Sequence, residues 1–310
     1  MSLPDPVSVA KTALFELQSY LEATENNATL YEEKNFDKRA DTIDFIGFQI
    51  LDQIEGLLQT TAPSAKLTLL KNRFEKLKSE LEEVNSNLFQ LLQENVRSGR
   101  CRGLEFKTLI REYFDFQINQ KEPTEEPGYD NLDLFINGLF PFQSVPAQTK
   151  ELEPDMVYFQ KSPARVVLEL VEKSQLTKED VFFDLGAGLG QAAILVHLLT
   201  EVKVRGVEFE PAFCAYAENC ARSLHLSDVH FIHTDARHAD YSDGTIFFMF
   251  TPFRGEILRE VLEILKKESM KRKIKIITYG PCTAQVALQC WLHFENPNDN
   301  MYKLSFFSSL

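Results

Sequence analysis

The chain has 310 residues, 44% hydrophobic and 25% charged, with a formal net charge of −13, which suits one large domain and one smaller one. The acidic balance counts against nucleic acid as a substrate, because a protein that grips phosphate backbones usually shows a basic face. No apolar run reaches the roughly 18–20 residues that span a bilayer, and no basic segment leads into an apolar core at the N-terminus, so a cytoplasmic protein is expected.

Residues 1–120 read as an all-α helical bundle. Leu14, Leu17 and Leu21 recur at helical spacing, as do Ile43, Ile46, Ile50, Ile54, Leu57 and Leu58. Ala62-Pro63-Ser64 breaks the pattern, and a long amphipathic run from Leu67 to Leu92 follows with a coiled-coil-like seam. Ser98-Gly99 ends it, and a shorter helix carries Leu104, Leu109, Tyr113 and Phe116. The pattern shows packing rather than chemistry. It fits a substrate-recognition module, a homodimer contact, or a structural cover for the next domain. Arg97, Arg100, Arg102, Lys107 and Arg111 make one loosely basic segment, read as a solvated helix face.

Residues 121–154 form a linker and connector, rich in proline and acids at Lys121–Asn131 and apolar but interrupted by Gly138, Pro141 and Pro146. From about residue 155 to 310 strands and helices alternate, which predicts an α/β domain with a mostly parallel sheet. Ser162-Pro163 reads as an N-cap with proline in the first turn. Strands are expected near 181–183, 202–209, 229–233, 245–250 and 274–279, and an antiparallel hairpin joins 289–294 to 302–308.

The first of these strands runs into Asp184-Leu185-Gly186-Ala187-Gly188-Leu189-Gly190-Gln191 and then a helix. Glycines let the backbone approach a ligand, and the helix start presents free N–H groups to it. Glu208 closes the second strand and Asp235 follows the third. At the carboxyl end of a parallel sheet, such acids suit a ribonucleotide-type ligand. Glu208 fits the ribose hydroxyls, and Asp235 fits an adenine amino group with Ala236 beside the ring. A dinucleotide site wants G-x-G-x-x-G/A, but Gly190 is followed by Gln191, and no lysine follows the turn as a P-loop requires.

The spacing Asp184-x-Gly186-x-Gly188-x-Gly190 resembles the first motif of class I S-adenosylmethionine-dependent methyltransferases. That resemblance implies a Rossmann-like seven-stranded sheet ending in an antiparallel hairpin, with S-adenosylmethionine as cofactor. It implies that Asp184, Gly186, Ala187, Gly188, Gly190 and Gln191 lie near the methionine part. Glu208 and Phe209 would then meet the ribose, and Asp235 and Ala236 the adenine. Met156–Val167, the glycine turn and Phe247–Glu256 further resemble a branch with protein-lysine methyltransferases that lack a SET domain. In that branch the segment before the first strand folds over the cofactor, which makes Tyr158 and Phe159 lid candidates.

After the fourth strand comes Phe250-Thr251-Pro252-Phe253. Many base-amino methyltransferases carry Asp or Asn, two prolines and an aromatic residue there. Thr251 supplies no such carboxylate or carboxamide, which counts against a nucleobase acceptor. Phe250 and Phe253 could wall the transferring methyl group, and Phe250 reads more readily as core than Phe253. Phe253, Thr251 and Tyr158 are the catalytic candidates, and Tyr279 and His238 are base candidates by position. No metal site is expected, because the histidines around 225–238 fall on a helix end, both faces of a strand and a loop. The five cysteines lack C-x-x-C spacing and read as reduced thiols. The expected activity is methyl transfer to a protein lysine amine or a small molecule. A cofactor-binding scaffold without catalysis is the reading from another class.

Overall fold

The computed structural model describes residues 6–60, 64–114, 128–141, 144–298 and 300–310. The break at Ala62-Pro63, the linker up to Pro127 and Asp299 of the hairpin turn lie outside the described residues. Two compact units form, residues 1–91 with 112–114 and residues 92–111 with 115–310. Among the described residues, no helix is long and apolar enough to cross a membrane.

The first unit is helical. It contains α1 (Pro6–Glu25), two short 3-10 turns, α2 (Phe36–Phe45), a π-helical stretch at Ile46–Ile50, α3 (Leu51–Thr60) and most of α4 (Ala65–Arg97). The apolar spacing translates directly into a core. Leu17, Leu21, Ile46, Ile50, Ile54, Leu67, Phe74 and Leu81 are all buried in one cluster. Leu91, placed on the α4 seam by its spacing, is exposed instead. Arg39 is fully buried there. Its Nε donates to Asn85 Oδ1 (2.6 Å) and its Nη1 to the carbonyls of Leu30 (2.8 Å) and Glu32 (2.9 Å). It thereby gives the buried Leu30 carbonyl a donor and adds a second to the Glu32 carbonyl, which the Asn35 amide also reaches.

The second unit holds α5 (Leu104–Tyr113, up to Arg111), α6 (Asn131–Gly138), α7 (Ala164–Ser174) and a seven-stranded sheet. The strands are β1 (Val181–Leu185), β2 (Lys203–Glu208), β3 (Val229–His233), β4 (Ile246–Met249), β5 (Lys275–Thr278), β6 (Leu292–Phe294) and β7 (Ser305–Ser309). Between them lie α8 (Gln191–Thr200), α9 (Pro211–Ser223), α10 (Gly255–Ser269) and α11 (Thr283–Ala287). The order is β3-β2-β1-β4-β5-β7-β6, parallel except for β7. This is the expected mostly parallel sheet closed by a hairpin.

Every residue of β1 is buried, as in a central parallel strand covered on both faces. On one face α10 brings Leu258, Val261, Leu262 and Leu265 against Phe183, Phe247, Ile276 and Phe307. The residues of α8 from Ala192 to Leu199 are all buried, consistent with their apolar character all round. The loosely basic segment is part of this packing. Arg97 Nε donates to the Ser223 carbonyl (2.7 Å) at the end of α9, and Arg102 Nη2 to that of His225 (3.0 Å). Cations at a helix C-terminus satisfy its free carbonyls, so these two arginines are not a solvated face.

The start of α7 differs from the sequence reading. Pro163 is the N-cap and makes no side-chain cap, so Ser162 is not the capping residue. The Ala164 amide is taken by Asp133 Oδ1 (2.8 Å) of α6, a buried aspartate that also closes the capping box of its own helix. A cap supplied from a distant helix leaves no local signature.

Candidate functional site

The strand order reverses at β1, which pairs with β2 on one side and β4 on the other. In open parallel sheets the ligand crevice opens at the carboxyl ends of the strands beside such a point. A cavity of about 360 Å³ lies there, within the usual range for small-molecule sites. At the β2–β3 end its wall includes Glu208, Phe209, Asp235 and Ala236. At the β4–β5 end it includes Phe250, Thr251, Phe253, Tyr279, Met301 and Tyr302.

The glycine turn is shaped by contact. Gly186, Gly188 and Gly190 all have φ between 54° and 79°, a region that L side chains avoid. The amides of Gly186 and Ala187 both donate to the Val207 carbonyl (2.9 and 3.0 Å). A Cβ on Gly186 would overlap Pro252, and one on Gly188 would overlap the Phe159 ring. A Cβ on Gly190 would come within 2.5 Å of Phe231 and 2.7 Å of Ala217. Only Gly186 of the three lines the cavity. Gly188 is covered by Phe159, and Gly190 is the N-cap of α8, where strand and helix pack closely.

The acids differ in environment. Glu208 is nearly buried, and its two oxygens accept from the amides of Gly188 and Glu210 (2.7 Å each). Burial raises its pKa, and those amides partly offset the rise. Asp184 sits deeper, behind the turn. Burial, with the neighbouring Glu208 charge added, pushes its carboxyl up to about 7 against the pull of the Ala193 amide. Asp235 is held below the usual carboxylate range by the Arg237 guanidinium. Glu210 was missed in the sequence. It caps α9 through the Ala212 amide (3.0 Å) and accepts from Thr149 N, Thr149 Oγ1 and Lys150 N (2.9, 2.6 and 2.8 Å). Burial pushes its pKa up, but these donors outweigh it and bring it down to about 2.

Residues 148–160 cross the cavity as a strap. Beyond its anchor on Glu210 it is also attached at Glu153, whose Oε2 accepts from Arg237 Nη2 (2.7 Å). Asp155 then receives the Arg254 amide on its carbonyl (2.9 Å) and the Glu256 amide on its carboxylate (3.0 Å). Met156 bridges to Phe253, and the Val157 amide donates to the Pro252 carbonyl (3.0 Å). Phe159 packs on Phe213 with ring centroids 5.3 Å apart.

Of the cofactor residues expected from the sequence, Gly186, Glu208, Phe209, Asp235, Ala236, Phe250 and Tyr158 line this cavity together. Asp184, Ala187, Gly188, Gly190 and Gln191 do not. The Gln191 amide pairs with Asn137 Oδ1 and lines a small separate cavity with Asp133 and Lys161. The three catalytic candidates Phe253, Thr251 and Tyr158 all reach the cavity. The order of the two phenylalanines is reversed, however. Phe253 is buried in the α10 core cluster, while Phe250 is half-buried and meets Tyr279 edge-on at 5.1 Å. Thr251 has φ +42°, unusual for a β-branched residue. Its hydroxyl donates to the Tyr279 carbonyl (3.0 Å) and accepts from the Cys282 amide (3.2 Å), so it shapes the loop. Tyr279 lines the cavity, whereas His238 does not.

A family model described as histone methylation protein DOT1 matches residues 153–244, from the strap to the loop before β4. No curated protein matches the chain. An RNA methyltransferase from Salinibacter ruber, solved with S-adenosyl-L-homocysteine, is 19% identical with a TM-score of 0.40, covering 48% of this chain and 92% of its own. A SAM-dependent methyltransferase from Aquifex aeolicus is 17% identical with a TM-score of 0.38, covering 48% and 93%.

Proposed function

We propose that this class I S-adenosylmethionine-dependent methyltransferase transfers its methyl group to the side-chain amine of a protein lysine. The observation that carries the reading is the β4–β5 end of the cavity. Phe250, Phe253, Tyr279, Met301 and Tyr302 make an aromatic and apolar wall there, suited to the methylene stem of lysine. Among the described lining residues, no Asp, Glu, Asn or His stands at that end to receive an exocyclic base amine. The match of the strap and first three strands to a histone methylation family supports the same acceptor class.

S-adenosylmethionine, when bound, supplies a methyl group already activated by its sulfonium. The chain's residues fit it at the β2–β3 end, where two carboxylates reach one cavity from adjacent strand ends. Glu208, fixed by two backbone amides, would take the ribose hydroxyls, and Asp235 the adenine amino group with Ala236 beside the ring. Gly186 of the turn, with Tyr158 and Phe159 on the strap, would face the methionine part. The remaining task of the protein is to hold the acceptor nitrogen in line and keep water out. The apolar wall favours the neutral amine over the ammonium ion, because a charge buried without a partner is costly, so the ammonium proton is given up to water before the amine enters. We assign 155–310 to this catalytic domain. The helices of 1–120 are then the candidate for acceptor recognition or self-association.

Two measurements test the reading. Methyl-labelled cofactor, incubated with the full chain and with protein, RNA and metabolite pools, is expected to label protein at lysine, read by mass spectrometry. Label confined to RNA or to small molecules would overturn the acceptor, and tight cofactor binding with no transfer to any pool would favour a binding protein. Glu208→Ala is expected to weaken S-adenosylmethionine binding about 10–100-fold in calorimetric titration, the loss of charge-assisted hydrogen bonds. An unchanged affinity would remove Glu208 from the site.

A further inference from the structure

Arg237 is absorbed by neither the motif nor the acceptor wall, yet it touches both the cofactor-side acid and the strap. Its own amide and its Nε both donate to Asp235 Oδ1 (2.8 and 3.0 Å). Its Nη2 donates to Asp235 Oδ2 (2.6 Å) and to Glu153 Oε2 (2.7 Å). One guanidinium therefore spans two carboxylates from distant parts of the chain. We propose that Arg237 is a positioning residue for the cofactor, orienting Asp235 and latching the strap over the cavity through Glu153. The proposal rests on the S-adenosylmethionine reading of this cavity.

The geometry favours a device over an incidental ion pair. Both oxygens of Asp235 are held, which fixes its rotamer, yet the carboxylate keeps a lone pair for a ligand. The inner half of the network is shielded, since the side chains of Arg237 and Asp235 are 20% and 11% exposed. Its outer half is open, since Glu153 is 46% exposed. Surface pairs of that kind add little to stability on their own, so Glu153 is not explained as a stabilising contact. Leu152 and Met156, on either side of it in the strap, line the cavity, and two residues on Asp155 is pinned to the start of α10. The planar fork of arginine can bridge two acids at once, which the compact ammonium of lysine does poorly.

The test is titration of S-adenosylmethionine into the full chain by calorimetry, with hydrogen exchange of the strap read in parallel. Arg237→Gln is expected to weaken binding about tenfold or more, as loss of a charge-assisted bond does. Arg237→Lys is expected to recover only part of that. Glu153→Gln should weaken binding a few-fold in the native background and add nothing in the Arg237→Gln background, because it acts through Arg237. Arg237→Gln should also speed exchange of the Val157 amide while the β1 amides stay slow. Affinity unaltered in Arg237→Gln, or an equal effect of Glu153→Gln in both backgrounds, overturns this proposal alone. A native chain that takes up no S-adenosylmethionine overturns the cofactor reading and this proposal with it. Glu153→Gln changes a half-exposed side chain and keeps the test alive should the Arg237 variants fold poorly.

Discussion

Gly186→Ala is expected to destabilise the chain by about 3 kcal/mol or more, the sum of overpacking and an unfavourable backbone conformation. Gly186 has φ +77°, and a Cβ there would overlap the Pro252 ring. Pro252 has little room to retreat. Its carbonyl holds the Val157 amide (3.0 Å), and the next residue, Phe253, bridges to Met156 and is buried under α10. Any relief must move the loop and the strap together, so the cavity should deform as the stability falls. Gly56→Ala in α3 is the control. Nothing lies within 4 Å of a Cβ placed there, so the usual gain of ~0.5–1 kcal/mol for replacing a helical glycine applies. Thermal denaturation of both variants decides. A Gly186→Ala chain as stable as the native one would show that the turn and Pro252 are not in contact.

The contrast between these two glycines indicates what the sequence could disclose. The turn, the acids at successive strand ends and the closing hairpin were legible, because each depends on spacing within a short stretch. Strand–turn–helix order puts Gly186, Glu208 and Asp235 at the same carboxyl edge of the sheet, where they line one cavity. What escaped was set by partners far along the chain. Asp133 caps α7 from α6, and Glu210 holds Thr149 and Lys150 of the strap. Neither bond leaves a periodicity to read. The same applies to Phe159. Its place on Gly188 makes that glycine a contact for the protein's own side chain, although the spacing of the turn marks it only as a ligand cradle. The order of Phe250 and Phe253 inverts for a related reason. Which of two aromatics in one loop enters the core depends on the path of α10, and that path is fixed by Asp155 at its N-terminus. Thr251, the odd residue of its motif, is a loop former. Its hydroxyl is engaged by Tyr279 and Cys282.

Asp184→Asn is expected to remove a pH dependence of stability centred on the buried turn. Asp184 is fully enclosed beside Glu208, and burial raises its carboxyl to about 7 in the folded chain, against about 4 in an unfolded one. The raised value fixes the sign. Below pH ~4 both states hold the proton and the contribution to stability is complete. Between there and about 7 the unfolded state loses its proton first, so stability falls as pH rises. Above that range the folded carboxyl ionises too, and the loss levels off at a few kcal/mol, given ~1.4 kcal/mol for each tenfold change in proton affinity. Asparagine stays neutral throughout, and its Oδ1 can still accept from the Ala193 amide that now faces Asp184. It also withdraws a like charge from the neighbourhood of Glu208. The native and Asp184→Asn chains should therefore melt at similar temperatures near pH 4 and separate by pH 8, with the variant higher. Melting curves that stay parallel from pH 4 to pH 8 would mean that the Asp184 carboxyl titrates as an ordinary one, and that the turn does not enclose it.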